Sequence, residues 1–517
     1  MAFLAVVAPG LTAQEARAAS HVSVSVHLSV ASGVVLTGDR VVVSGRVSKG
    51  AAKAPVRLQR YEAHRWSTVH LGRPARSGTY RFTFSSKVEG SWRLRVLSGT
   101  GRGAVGSRSF VLNVLSCTPG TQPRGGTAAW FTRPGLHGLD PIASKLSRLF
   151  CAAAPGASID ISMYFVRAVG TQPDVDPILT SLERVVRYRK VKVRIILEGR
   201  LYRPGMTFRK GLARLRRIAT VVLCDDGCHN DRAPSDPAGS GIMHHKFITV
   251  SDMSWARGKD PAVVESSANW SQSQLANNWQ SAVLLYDDAR LYREFDVQFE
   301  TLASCAAGCG RWSGRLTQLA ISRRTYGLTD VANIWRDSAP AEREAAPGSG
   351  RGVLFSPWFG SDPLAVALNG YTCTAAHHSV LVDHMFITSA RRSVLDALVG
   401  LKQRGCEVRI ILNQYGDDPL SEGVREVSDA GLTVSCVPRV HDKAVLVDAV
   451  RTSDGAVDNV LWMGSQSLGG KALRYNDEAL LRVSTADATG ASRLANGELF
   501  ARFLGDWKAL DRRARTC

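Results

Sequence analysis

The sequence predicts an α/β protein of two similar halves that form one unit, preceded by a small all-β sandwich. Three observations support this prediction. The segment Val-Arg-Ile-Ile-Leu occurs twice, at 193–197 and 408–412. Each copy is followed by a His-x-Lys triplet in front of an apolar run, whereas residues 21–115 alternate between apolar and polar types. A repeat of this length indicates an internal duplication.

The first residues are typical of an export signal. A short apolar core at 2–8 is followed by an Ala-x-Ala cleavage site at 16–18, so we expect residues 1–19 to be a signal peptide. A disordered, Ala-rich terminus is the alternative. The signal predicts a secreted, extracellular protein, and no apolar run in the sequence has the length of a membrane span.

The ten cysteines, an even number, agree with an oxidising destination. Cys224 and Cys228 flank an Asp-Asp-Gly turn, and Cys305 and Cys309 flank Ala-Ala-Gly, so each pair is expected to close a small loop. Neither spacing matches a zinc site. Three further bridges are expected, in a pairing that the sequence leaves open, among Cys117, Cys151, Cys373, Cys406, Cys436 and Cys517.

Residues 20–116 have the pattern of an antiparallel β-sandwich. Apolar residues alternate with polar ones at 22–30, 80–84 and 92–96, and Gly-containing turns separate these segments. The pattern resembles the immunoglobulin-like accessory modules of secreted bacterial proteins. Fifteen Lys and Arg against three Asp and Glu make the region strongly basic, which fits either contact with an anionic surface or a solubilising role.

The α/β pattern begins after a Gly/Pro-rich stretch at 119–126. We expect a first half at 127–335, a linker rich in Ala, Pro and Gly at 336–350, and a second half at 351–517. The order strand, helix, strand occurs in both halves, at 158–165, 176–189 and 191–197 and again at 379–386, 390–404 and 406–412.

The two His-x-Lys triplets indicate the chemistry. His244 and Lys246 precede one apolar run, and His441 and Lys443 precede another, with 197 positions between the histidines. Residues two apart on a strand leave by the same face, and the buried run holds each pair rigidly. An imidazole attacks phosphorus while a neighbouring ammonium neutralises the phosphate oxygens. The pattern predicts a site for a phosphate ester.

A second signature, rich in small polar residues, follows each triplet. It is Ser-Ser-Ala-Asn-Trp-Ser at 266–271 and Gly-Ser-Gln-Ser at 464–467. Asn-Asn-Trp-Gln at 277–280 and Asn-Asp-Glu at 476–478 then precede further apolar strands. Small residues let backbone and hydroxyl groups approach a phosphate closely.

These residues together resemble the phospholipase D superfamily, whose mark is H-x-K-x-x-x-x-D followed by G-S-x-N, present twice. The likeness covers 127–517 and implies two α/β halves that form one catalytic unit, with one histidine from each half on a single phosphodiester. One histidine forms a phosphohistidine, the other protonates the leaving oxygen, and no metal or other cofactor is required. We expect catalytic roles for His244, Lys246, His441, Lys443, Asp448 and Glu478. We expect phosphate-binding roles for Ser267, Asn269, Gln280, Ser465 and Ser467.

The sequence departs from the family pattern at three places. The first motif has Ser251 in the position of Asp, with Asp252 one step late, so either Ser251 substitutes or a bulge returns Asp252. Ser467 stands where the second element would have Asn. Glu478 occupies the place of the acidic residue that orients a family histidine, while Gln280 holds the matching position in the first half.

The difference between Glu478 and Gln280 predicts a division of labour. A carboxylate beside His441 would raise its pKa and favour a general acid, whereas an amide beside His244 would leave a neutral nucleophile. We therefore expect His244 to attack and His441 to donate. The reverse assignment stays open, because a phosphohistidine also gains from a nearby carboxylate.

Three functions are compatible with these residues. The first is a secreted phospholipase D-type phosphodiesterase that hydrolyses phospholipid headgroup esters or transfers the phosphatidyl group to an alcohol, as a monomer at an anionic membrane surface. The second is a secreted nuclease with the same chemistry, favoured by the formal charge of +20. The third is a decayed site that only binds phosphate-bearing surfaces. We expect the first, because family nucleases are often short single-motif chains and both triplets are intact here.

Overall fold

The structure is a computed structural model with two compact units, which divide between Val114 and Leu115. Among the described residues no helix has the length and apolar character needed to cross a membrane. The structure describes residues 23–28, 34–37, 40–48, 54–62, 64–86, 88, 90–115, 122, 126–134, 141–170, 172–224, 227–228, 241–255, 260–306, 343–344, 348–358, 361–414 and 422–517.

The first unit consists of short strands with alternating burial. In the described residues they form a three-stranded sheet, β1-β3-β6, and a six-stranded sheet, β2-β9-β7-β4-β5 with β8 on β7. Inward residues of both sheets, such as Val43, Leu58 and Leu94, share one core. The predicted all-β region of antiparallel sheets is confirmed, and its immunoglobulin-like character stays a prediction. The strands are β1 (His27–Leu28), β2 (Val34–Leu36), β3 (Val41–Arg46), β4 (Val56–Glu62), β5 (Arg65–Gly72), β6 (Thr79–Phe84), β7 (Gly90–Ser98), β8 (Val105–Gly106) and β9 (Phe110–Leu115).

The second unit begins with a mixed sheet and the helices that cover it. Helix α2 buries Ile178, Leu182 and Val185, whose spacing of four and three residues places them on one face. The described strands of this half are β10 (Thr127–Thr132), β11 (Ser158–Met163), β12 (Lys192–Glu198), β13 (Thr220–Cys224), β14 (Lys246–Val250), β15 (Ala262–Ser266) and β16 (Gln280–Tyr286). Its described α-helices are α1 (Pro141–Cys151), α2 (Val175–Arg189), α3 (Leu212–Ile218), α4 (Gln272–Asn277) and α5 (Ala289–Ala306).

The remainder of the second unit repeats this arrangement. Its described strands are β17 (Arg343–Glu344), β18 (Ser349–Ser356), β19 (Tyr371–Thr372), β20 (Ser379–His384), β21 (Glu407–Gln414), β22 (Thr433–Pro438), β23 (Lys443–Arg451), β24 (Val457–Gly464), β25 (Glu478–Ala488) and β26 (Arg515–Thr516). Its described α-helices are α6 (Pro363–Asn369), α7 (Arg392–Gln403), α8 (Glu422–Asp429), α9 (Gly470–Arg474) and α10 (Gly490–Asp511).

The two halves have the same strand order. The first sheet runs β10-β16-β15-β14-β11-β12-β13, and the central part of the second runs β18-β25-β24-β23-β20-β21-β22. Each sheet contains a corresponding parallel pair, β11-β12 or β20-β21. The strand that begins at the His-x-Lys triplet, β14 or β23, is antiparallel to the first strand of that pair. The predicted fold of two similar α/β halves after an all-β region is confirmed.

Both sheets contribute to one shared hydrophobic core, so the two halves pack directly against each other. Phe247 and Phe295 of the first half and Leu446 and Phe503 of the second belong to the same buried cluster. The other faces of the sheets pack on separate clusters, one against α1, α2 and α3 and one against α6, α7 and α8. The loops at one edge of this joint core therefore come from both halves.

Three disulfides of the second unit are described in full: Cys224–Cys228, Cys373–Cys406 and Cys436–Cys517. The first confirms the small loop predicted from sequence. The predicted loop between Cys305 and Cys309 lies outside the described side chains.

Candidate active site

Each His-x-Lys triplet lies where a buried strand begins. β14 starts at Lys246 and is buried throughout 247–250, and Lys246 pairs with Met163 at the end of β11. In the second half β23 starts at Lys443, which pairs with His384 at the end of β20. The triplets thus occupy corresponding corners of the duplicated sheets.

Backbone hydrogen bonds between the halves bring these corners together. His244 N donates to Asp477 O at 2.9 Å, and His441 N donates to Trp279 O at 3.1 Å. Asp477 and Trp279 are the residues directly before β25 and β16. Each half therefore presents the start of one strand to the histidine of the other half.

The side-chain hydrogen bonds of the two imidazoles are crossed between the halves. His244 Nδ1 lies 2.8 and 2.9 Å from the carboxylate oxygens of Glu478, and His441 Nδ1 lies 3.1 Å from Gln280 Oε1. The predicted pairing of Glu478 with His441 and of Gln280 with His244 is wrong. The physical reason is that β25 and β16 each begin beside the His-x-Lys triplet of the other half.

The orienting groups are themselves held by small polar side chains. Ser267 Oγ donates to Gln280 Oε1 at 2.8 Å, and Gln280 Nε2 donates to Gln274 Oε1 at 2.6 Å. In the second half, Ser465 forms a side-chain hydrogen bond to Glu478. Ser267 and Ser465 thus hold the orienting side chains of Gln280 and Glu478, and the phosphate-binding role of Ser267, Ser465 and Gln280 stays a prediction.

Asn269 and Ser467 occupy corresponding positions after β15 and β24. Asn269 is buried, and its Oδ1 makes no hydrogen bond within the described part of the chain. The Ser467 carbonyl accepts from Nη1 of the buried Arg391 at 3.3 Å. Asn269 can thus offer its amide to a phosphate, whereas Ser467 accepts a hydrogen bond from Arg391 through its backbone carbonyl.

Both lysines lie against the backbone of their own triplet. Lys246 Nζ donates to His244 O at 2.7 Å, and Lys443 Nζ donates to His441 O at 2.7 Å and lies 3.3 Å from His441 Nδ1. Burial lowers the pKa of Lys246 to about 7 and that of Lys443 to about 8. The site therefore has two ammonium groups that an entering anion would stabilise in the charged form.

The electrostatics keep the imidazoles neutral in the free protein. Burial lowers the pKa of His244 and of His441 well below the usual range, and the charges of Lys246 and Lys443 lower both further. His244 also lowers the pKa of His441. Burial raises the pKa of Glu478 to about 7, and Lys246 opposes the rise.

Asp448 does not join this cluster, contrary to its predicted catalytic role. It lies five residues along β23 from Lys443, where it pairs with Ser379 across the strands and contacts His377 Nδ1 at 2.8 Å. In the first half Ser251 occupies the equivalent place, and its Oγ accepts from Ser158 N at 2.8 Å. The ladder to β11 is regular, so no bulge returns Asp252.

Three residues at the site, of which Glu265 and His384 are buried and Tyr164 is half-buried, lie outside the predicted set of site residues. The Tyr164 ring lies 4.9 Å from the His244 ring, centroid to centroid, and Lys246 Nζ lies 5.7 Å over it. Glu265, on β15, is fully buried near Lys246, and the backbone groups of Ser465 and Ser266 lie beside its carboxylate. His384 is buried opposite Lys443. The only available signal was their position at strand ends next to the triplet strands.

The comparison with family models identifies one family, described as "Cardiolipin synthase, PLD-like domain". It matches residues 151–303 and 372–496, more than half of the chain, and each segment contains one His-x-Lys triplet. A comparison with curated proteins finds no match.

The comparison with solved structures matches, among others, two proteins. Nuc from Salmonella typhimurium, a phospholipase D family member, is 19% identical, with 32% of this chain and 97% of that one covered and a TM-score of 0.25. Yeast tyrosyl-DNA phosphodiesterase is 9% identical, with 70% of this chain and 91% of that one covered and a TM-score of 0.39.

Proposed function

The chain belongs to the PLD-like domain family of the cardiolipin synthase type, within the phospholipase D superfamily, and from this membership we propose a secreted phosphodiesterase that hydrolyses phospholipid headgroup esters. When an alcohol replaces water, the same site would transfer the phosphatidyl group. The observation that supports the proposal is the crossed arrangement of two imidazoles and two buried lysines, contributed equally by the two halves.

His244 is the proposed nucleophile. The Glu478 carboxylate accepts from Nδ1–H, which leaves the lone pair of Nε2 for attack on phosphorus. When Nε2 becomes phosphorylated, the ring acquires a positive charge that the same carboxylate stabilises. The assignment agrees with the sequence-based expectation, but for a different reason, since the carboxylate serves His244 and not His441.

His441 is the proposed general acid and then general base. Its Nδ1 hydrogen bond ends on the neutral amide of Gln280, which holds a ring proton less strongly than a carboxylate does. An anionic phosphodiester between the halves raises the pKa of this imidazole and favours its protonated form. Protonated on Nε2, His441 can deliver that proton to the departing headgroup oxygen.

The proposed reaction has two displacements. In the first, the Nε2 lone pair of His244 forms a bond to phosphorus, the bond between phosphorus and the headgroup oxygen breaks, and that oxygen takes the proton of His441 Nε2. In the second, water gives a proton to His441 Nε2 and bonds to phosphorus, while the N–P electron pair returns to His244. The products are phosphatidic acid and the free headgroup alcohol.

The negative charge on the phosphoryl oxygens is balanced by lysines from both halves of the second unit. Lys246 and Lys443 are each fixed by a 2.7 Å hydrogen bond to their own triplet. Donors fixed before the reaction stabilise developing charge without reorganisation. Asn269 is the proposed amide donor, because its side chain is buried and carries an NH2 group that can donate to a phosphate oxygen.

The phospholipid substrate is favoured by the family description, which names a phospholipid-synthesising activity. Secretion is favoured by the signal-like N-terminus, which lies outside the described residues, and by disulfides such as Cys373–Cys406 and Cys436–Cys517. A nuclease is the second candidate, since a formal charge of +20 would attract nucleic acid.

A substrate panel tests the proposal. Purified protein is offered phosphatidylcholine vesicles, plasmid DNA and a chromogenic phosphodiester, with EDTA and without added metal. Choline release with intact plasmid is expected, and it should disappear in His244→Ala and His441→Ala but persist in His378→Ala, an exposed histidine outside the cluster. Plasmid nicking without choline release would replace the lipid substrate by nucleic acid, and inactivity on all three would indicate a phosphate-binding protein.

A further inference from the structure

One outer sheet face of the first unit combines arginines with aromatic and aliphatic side chains. Opposed residues of an antiparallel ladder share a face, so the ladder registers define three rows. We call this surface the arginine–aromatic face. Its rows are Trp66, Tyr61, Arg93 and Val111; Thr68, Gln59 and Arg95; and Leu71, Arg57 and Leu97.

Alternation along the strands separates this face from the core. On β4 the neighbours Val56 and Leu58 are fully buried, and on β7 so are Leu94 and Val96. The residues between them point to the opposite side of the sheet and form the face. Its side chains therefore do not hold the two sheets of the unit together.

The charge of the face has one sign. Its rows hold three arginines and no Asp or Glu, and Glu62 alternates to the other side with Arg60, to which it is paired at 3.2 Å. The guanidinium of Arg95 lies 4.2 Å over the Trp66 ring and that of Arg93 lies 5.6 Å over the Tyr61 ring. Stacking holds Arg93 and Arg95 extended over the sheet, where they can reach phosphate groups.

The apolar members of the face distinguish a lipid surface from a soluble polyanion. Leu71 is 67% exposed and Val111 is 49% exposed. This exposure of apolar surface is unfavourable in water, and burial of the same surface at the boundary between headgroups and acyl chains is favourable. The Trp66 ring is covered by Arg95, so it does not offer an open face for a nucleic-acid base. Tryptophan and tyrosine beside basic residues are typical of membrane interfaces.

We propose that the arginine–aromatic face docks the protein on an anionic phospholipid surface. The arginines contact lipid phosphates while the exposed side chains of Leu71 and Val111 enter the headgroup region. The inference goes beyond the proposed reaction and does not depend on it, since docking requires no turnover.

Vesicle sedimentation tests the docking surface in the full chain. All variants carry His244→Ala, so that lipid hydrolysis cannot change the result. Vesicles of phosphatidylglycerol and phosphatidylcholine are compared with pure phosphatidylcholine. Arg93→Gln/Arg95→Gln should weaken binding to the anionic vesicles about 25-fold, at about fivefold per basic residue near the surface. Leu71→Ser should weaken it further at a salt concentration where the electrostatic contribution is small.

A matched pair on the outer side of the other sheet provides the control. Arg46→Gln/Arg81→Gln removes the same charge from exposed positions of β3 and β6 and should change binding less than about threefold. Arg93→Lys/Arg95→Lys should retain most of the binding, and unchanged thermal unfolding verifies the fold of each variant. Binding of each variant to plasmid DNA is measured in parallel. The proposal would be overturned if both Gln pairs lost vesicle binding equally, if Leu71→Ser had no effect on vesicle binding, or if Arg93→Gln/Arg95→Gln weakened binding to plasmid DNA only.

Discussion

Replacing Glu478 by glutamine should impair the chemistry at His244, in the other half of the unit. The side chain of Glu478 is fully buried, and its oxygens lie 2.8 and 2.9 Å from His244 Nδ1. Glutamine retains an oxygen acceptor of nearly the same shape and removes the negative charge. The substitution therefore tests the charge without opening a cavity.

The size of the effect follows from that hydrogen bond. Attack on phosphorus makes the His244 ring positive, and a hydrogen bond to a charged group contributes about 1.5–3 kcal/mol. Loss of about 1.5–3 kcal/mol slows phosphoenzyme formation roughly 10- to 150-fold, since ~1.4 kcal/mol is a factor of ten in rate. The comparison is made above the pKa of about 7 of Glu478, where its carboxylate is ionised.

Rapid mixing with phosphatidyl-p-nitrophenol measures this step directly. The nitrophenolate departs without protonation, so the first burst of colour reports attack by the nucleophile and does not require the acid. Glu478→Gln should slow the burst. Gln280→Met, which removes the partner of His441, should leave the burst near the wild-type rate and slow the later hydrolysis step.

The reverse outcome would refute the crossed assignment. If Glu478→Gln leaves the burst intact and slows only hydrolysis, the carboxylate serves the acid–base histidine. Nitrogen NMR of labelled imidazoles provides a second readout, because the tautomer and pKa of the ring bonded to residue 478 should change while those of the other ring do not.

Three further outcomes are expected. His441→Ala should accumulate an acid-labile phosphoenzyme from the nitrophenyl substrate and His244→Ala should form none; a phosphoenzyme only in His244→Ala would exchange the two roles. Binding of tungstate, a phosphate mimic, near pH 8 should take up roughly one proton, because an anion raises the pKa values of Lys246 and Lys443 from about 7 and about 8; calorimetric heats independent of buffer ionisation would contradict this. Burial raises the pKa of Glu265 well above its ordinary value of 4.5, so wild-type stability falls as pH rises above that value, and Glu265→Gln should raise Tm more at about pH 8 than at about pH 5; equal gains would show that this carboxyl does not titrate differently on folding.

Local patterns were enough to predict the architecture. The buried runs after His244 and His441 became β14 and β23, and the repeated Val-Arg-Ile-Ile-Leu became β12 and β21 at the same place in both sheets. Strand formation in such runs depends on neighbours a few residues away and on burial, both of which are readable along the chain. The duplicated spacing then implied duplicated geometry.

The spacing within the motifs was a less reliable guide to the contacts of individual residues than the presence of the motifs was to the fold. Asp448 follows Lys443 at the family spacing, but a strand advances about 3.3 Å per residue, so five residues place it far from the imidazoles. Ser267 and Ser465 are at the right positions for a phosphate loop, but their hydroxyl groups are used by Gln280 and Glu478. Spacing defines a distance along the strand and does not determine which partner each side chain meets.

The sequence by itself determined the two α/β halves, the all-β region before them and the identity of the His-x-Lys pairs, because these follow from local periodicity and repetition. Only the tertiary structure decided that Glu478 orients His244 and Gln280 orients His441. That exchange arises because β25 and β16 begin at the joint between the halves, where Asp477 and Trp279 accept the backbone N–H groups of the opposite histidines. A contact of this kind depends on how two sheets pack over a shared core, which is a property of the folded unit and not of either motif.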